Sequence, residues 1–138
     1  MSRKSARDTA MRLLYEYEIT GSFNRETIGV MGDELNNNLD SHDLEYIDEV
    51  IRLFPGEKES IDAIIDEYAV GWDIARLARI DLSIMRLALL EMAGMKSIPY
   101  KVSINEAVEL AKRYSGDKSP GFINGVLGGY IKGILTGE

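Results

Sequence analysis

Two groups of basic side chains carry the chemistry this sequence offers. Arg3, Lys4 and Arg7 open the chain, and Lys112, Arg113 and Lys118 surround the stretch "YSGDKSPGF", with Phe122 four residues after Lys118. Ammonium and guanidinium groups neutralise phosphates, and an aromatic ring beside them stacks an unpaired base, so the combination suits single-stranded nucleic acid. Spacing alone fits Phe122 to ordinary core packing equally well. Tyr15 stands on the same side of the first helix as Lys4 and Met11, roughly opposite that helix's apolar stripe, where an aromatic suits a protein partner. For Arg3, Lys4 and Arg7 the plain alternative is a solvated, mildly basic terminus.

Charge is sorted along the chain. Residues 1–15 hold four Lys/Arg against one Asp, residues 16–73 three against sixteen Asp/Glu, and residues 74–138 nine against six, within a total of −7. Such asymmetry implies that part of the surface meets a polyanion while the rest repels it. The two basic groups are therefore expected on one surface.

Other chemistry fails on composition or spacing. With no cysteine, disulfides, thiolate nucleophiles and cysteine-ligated metals are excluded, and His42, the one histidine, offers no zinc cluster. "GDKSPG" at 116–121 resembles a phosphate loop only faintly. Asp117 stands where that loop has its last Gly, and a helix rather than a strand precedes it. The abundant carboxylates sit in polar stretches where nothing would tune a pKa. No catalytic residue, cofactor or metal is expected, and the chain is not read as an enzyme. The longest apolar run, Leu87 to Leu90, cannot span a membrane, and no apolar segment follows the first charges as in a secretory signal. A cytoplasmic location with no membrane partner is the expectation.

The elements that position these residues are helical nearly throughout. Ala6, Ala10, Leu13, Leu14 and Tyr17 form one stripe, broken at Gly21 and Asn24. A weaker helix is expected around 25–36, ended by "NNNLD". Ser41 then caps a helix bearing Leu44, Ile47, Ile51 and Phe54, which Pro55-Gly56 should stop. Ile61, Ile64, Ile65 and Tyr68 mark the next, closed by Gly71. "RIDLSIMRLALLEMAG" has the density of a central, buried helix. "SINE" at 103–106 has capping-box spacing, and Ser119-Pro120 reads as a helix start running to about Leu135. The expected fold is all-α, six or seven helices in a single domain over residues 1–138, with no strand pattern and no repeat.

"SARDTAMRLLYEYE", "RIDLSIMRLALLEM" and "IPYKVSINEAVELAKRYSGDKSPGFINGVL" resemble, in order and across nearly the whole chain, the NusB family of transcription antitermination factors. The resemblance implies a compact bundle of about seven helices in two packed helical subdomains. It implies an RNA-binding protein that pairs with NusE, a small-subunit ribosomal protein, on the boxA element of ribosomal RNA leaders, so that RNA polymerase reads through terminators. Other Nus factors and the polymerase are implied as indirect partners. Carried over by position, RNA contacts fall on Arg3, Lys4, Arg7, Lys112, Lys118, Phe122 and Asn124, and NusE-facing positions on Tyr15 and Asp81, both expected to be exposed. Two departures, a thin N-terminal basic cluster and Pro120-Gly121 in place of a basic residue, point to reliance on a partner for tight RNA binding. The alternatives are a protein-only helical adaptor or homodimer working through its acidic middle, and a stand-alone relative of the RNA-binding domain of ribosomal RNA cytosine methyltransferases.

Overall fold

The computed structural model describes residues 4–34 and 39–136. Arg3 lies outside them, as does most of "NNNLD". Six α-helices and one 3-10 turn are formed by the described residues: α1 Lys4–Thr20, α2 Glu26–Glu34, α3 Ser41–Tyr68, the 3-10 turn Ile74–Arg76, α4 Arg79–Gly94, α5 Tyr100–Tyr114 and α6 Ser119–Thr136. No strand occurs among them. None of these helices is long and apolar enough to cross a membrane.

The central helix is α4, every residue of which from Asp81 to Met92 is buried. It packs against α1, α3, α5 and α6, and α1 is covered further by α2 and α3. Enclosure of α1 is tighter than one stripe predicts: Ala6 to Met11 are all buried, so Met11 faces protein and not solvent.

Three local readings are corrected. Pro55 does not stop a helix but sits inside α3, so two expected helices are one. Pro removes one backbone hydrogen bond, yet Phe54 before it and Ile61 and Ile65 after it are all buried in the same core. Packing of both halves outweighs the local break. The cap of α3 is Asp40, not Ser41: Asp40 accepts from the Asp43 N–H at 2.9 Å, and Asp43 accepts from the Asp40 N–H at 3.1 Å. "SINE" is not a capping box either, because α5 starts earlier, at Tyr100 after Pro99.

The reason lies in a buried ionic network. Glu91 of α4, fully enclosed, accepts from Arg7 Nε at 2.8 Å, Arg7 Nη2 at 3.2 Å, Ser103 Oγ at 2.8 Å and the Tyr46 hydroxyl. Glu106 lies 3.6 Å from Arg7 Nη1. A buried carboxylate left short of donors costs far more than an uncapped helix end, so Ser103 and Glu106 face the network.

A second buried cation, Arg86, donates to Asp62 through Nε and Nη2 at 2.9 and 2.8 Å, and to Glu18 at 2.7 Å. Burial alone would raise the Asp62 carboxyl, but hydrogen bonds from Arg86 and Lys58 outweigh it and hold the group below its ordinary 3.8. A depressed carboxylate contributes stability that is complete above its unfolded value and lost as pH falls through the folded one. Thermal midpoints should therefore drop as pH falls below about 4, and Asp62→Asn should remove part of that dependence. Parallel acid melting curves for the two proteins would contradict the assignment.

The glycines of α6 also have a packing reason. At Gly133 a Cβ would sit 2.5 Å from the Tyr68 hydroxyl, and at Gly129 one would sit 3.4 Å from the Tyr68 ring. The bare face lets α6 approach the end of α3, where Tyr68 and Tyr130 stack edge to face at 5.8 Å.

Candidate nucleic-acid and partner interface

The turn between α5 and α6 is the site's framework. Asp81, in the first turn of α4, accepts from Ser115 Oγ at 2.5 Å and from Ser119 Oγ at 2.9 Å. One carboxylate thus holds both ends of the turn that displays Lys118. An acidic side chain here also complements the positive end of the α4 dipole. This corrects the expectation of an exposed, partner-facing Asp81. The residue is 8% exposed and its oxygens are occupied, because the turn needs an anchor.

Arg7 is corrected in the same way. It is 5% exposed, and its guanidinium is committed to Glu91 and Glu106. Burial works against its charge, but the bonds and attraction from Glu91 more than offset that, so it stays cationic inside the protein. A phosphate could reach it only by breaking the core network.

The other positions fall as follows. Lys4 is exposed at the start of α1. Lys112, in the last turn of α5, pairs with Glu109 at 3.2 Å, both side chains exposed, a contact that costs little to exchange for a phosphate. Lys118 is exposed in the turn. Phe122, one turn into α6, is half-buried against the core. Asn124 is exposed on α6, but two residues on from Phe122 it is rotated about 200° around the helix and points away from that ring. Arg113 reaches Asp8, tying the start of α1 to the end of α5, so the two basic segments do converge.

Two residues that sequence reasoning missed complete the site. Trp72 and Arg76 line, with Leu77, Ala78, Asp81, Lys118, Ser119 and Phe122, a concavity of about 480 Å³. Trp72 lies 6.0 Å from Phe122, ring centre to ring centre, with the planes at 65°. Among the described residues neither Arg76 nor Lys118 pairs with a carboxylate. A signal was available in "VGWDIAR": a Trp directly after a Gly, followed by a cap residue and a basic one. Charge counting split it, leaving Trp72 in the acidic segment and Arg76 in the next.

A second concavity, about 300 Å³, is lined by Asp8, Met11, Arg12, Tyr15, Met31, Ile80 and Tyr114. Tyr15 is half-buried at its wall. Ile80 lines this hollow and its neighbour Asp81 lines the first, so the start of α4 is common to both.

Together these features define an all-α bundle with a basic, aromatic hollow beside the α5–α6 turn and a second, mostly apolar hollow along α1. The chain belongs to the NusB family, whose model matches residues 4–132. Its relatives include the transcription antitermination protein NusB of Alkaliphilus oremlandii, 43% identical over 140 residues, with all of both chains covered. Among solved structures it is similar to T. maritima NusB, at 30% identity and TM-score 0.81, covering 96% of this chain and 92% of that one. It is similar also to a crystal structure of antitermination factors NusB and NusE in complex with double-stranded RNA, at 30% identity and TM-score 0.79, covering 94% and 96%.

Proposed function

We propose that this chain is an RNA-binding transcription antitermination factor. It pairs with NusE to hold single-stranded, boxA-type RNA of ribosomal RNA leaders, so that RNA polymerase reads through terminators. Residues 1–138 act as one RNA-binding unit, with no catalytic step, and the other Nus factors and the polymerase engage it indirectly. The observation that carries this reading is the exposed Lys118 beside Phe122, on a turn that α4 anchors through Asp81. Lys4 and Lys112 extend the positive surface, and Arg3 adds to it in this reading. Asn124 is left to contact an RNA strand that continues around α6.

Tyr15 is the anchor for NusE, at the mostly apolar hollow along α1. Tyr15→Asp should weaken NusE binding about tenfold, the effect of losing a moderate aromatic anchor, with helix content unchanged. Calorimetric titration with NusE checks this, and equal affinities for the two proteins would remove Tyr15 from the interface. The reading as a whole is tested by titrating the protein with boxA-type RNA, with and without NusE. RNA binding that NusE tightens is expected. No RNA binding in either case would overturn it.

A further inference from the structure

The turn after α3 is built to hold a tryptophan in solvent. Gly71 adopts φ +83°, a conformation that other residues rarely take, and the Trp72 N–H donates to the Ala69 carbonyl at 3.0 Å. Asp73 then accepts from the Ala75 N–H at 3.2 Å, starting the 3-10 turn that carries Arg76. The product is an indole 53% exposed, its ring set against Phe122. Leaving so large an apolar group in water is unfavourable, and its display on a fixed turn marks a contact surface.

We infer that the corner between Trp72 and Phe122 takes one unpaired nucleotide of an RNA strand. The base lies against the two rings, and Arg76 and Lys118 hold the phosphates on either side of it. This rests on the RNA-binding reading above and names residues and a ligand geometry that it does not include. Two aromatic planes inclined at 65° form two walls, so a planar base lies flat on one ring while the other closes its edge. At about 480 Å³ the hollow is of the size that small planar ligands occupy. Its walls are apolar and its rim carries two cations, the arrangement that complements a flat base joined to anionic phosphates. A duplex must unstack a base to fill the corner, which costs a few kcal/mol that a single strand does not lose. The corner therefore selects unpaired RNA.

Trp72 is the chain's one tryptophan, so its emission reports this corner alone. The test uses the full chain, a short boxA-type RNA, its perfect duplex, and a set in which each nucleotide in turn is abasic. The single strand should quench Trp72 emission with the same midpoint that filter binding gives, and the duplex should bind more weakly. One abasic position should cost about tenfold in affinity, the effect of one lost stack, and that cost should vanish in Trp72→Ala and persist in Trp72→Phe. RNA that binds at full affinity with Trp72 emission unchanged, and equally well to Trp72→Ala, would overturn the corner while leaving RNA binding intact. Equal binding of duplex and single strand would overturn it too. A wild-type protein that retains no RNA on the filter overturns the RNA reading itself, and the corner with it.

Discussion

Arg7→Ala lowers the stability of this protein by about 3–5 kcal/mol, the cost of removing one partner of a buried ion pair. It leaves the salt dependence of RNA binding unchanged in the molecules that stay folded. Glu91 is 1% exposed and receives two of its hydrogen bonds from Arg7. After truncation Tyr46 and Ser103 still donate, but a carboxylate without its cation must sit in the core beside a void. Against a typical total of about 5–15 kcal/mol, such a loss brings a small domain close to unfolding. Urea unfolding followed by circular dichroism measures it. Replacing both partners, Arg7→Met with Glu91→Gln, should recover part of the loss, because no uncompensated charge then remains. An unchanged unfolding midpoint for Arg7→Ala, together with weaker RNA binding, would return Arg7 to the RNA surface.

Phe122→Ala costs about 1–3 kcal/mol of RNA affinity through lost stacking and leaves the salt slope as it was. Lys118→Ala does the opposite. It flattens the slope by about 0.7, one contact to a single strand, and weakens all sequences about equally. The contrast follows from geometry: Lys118 stands exposed in the α5–α6 turn, whereas Phe122 is half-buried against the core and sits beside the Trp72 ring. Phe122→Ala should therefore also lose some stability, and melting curves separate that part from binding. If Phe122→Ala binds RNA normally while folded, the ring is core alone.

The helical framework was legible because it repeats. The stripe of α1 follows the 3.6-residue period over about three turns, and α4, marked by apolar density, begins and ends where its sequence suggests. Pro55, Ser41 and "SINE" misled because each is a local signal. Phe54, Ile61 and Ile65 on a shared core, and a Glu91 in need of donors, decide those positions instead. Arg7 shows the limit most clearly. Its partner stands 84 residues away, and helical spacing says nothing about what covers a helix face. Asp81 was expected at a surface and anchors a turn, since its two serines come from the end of α5 and the start of α6, more than thirty residues on. Trp72 went unnoticed for a related reason. Charge summed along the chain put it in the acidic middle, whereas folding sets it against Phe122, fifty residues on.

An acidic protein that presents one basic face to RNA must bind boxA-type RNA with an affinity that falls as salt rises. Lys4, Arg76, Lys112 and Lys118 are exposed cations, and Arg76 and Lys118 line one hollow. Three or four of them on phosphates give a slope of log K against log salt of about −2 to −3 for a single strand. The protein should show that slope both alone and in the presence of NusE, with NusE raising the affinity. A slope near zero would mean that these cations do not touch RNA, and would favour a helical adaptor that binds only protein.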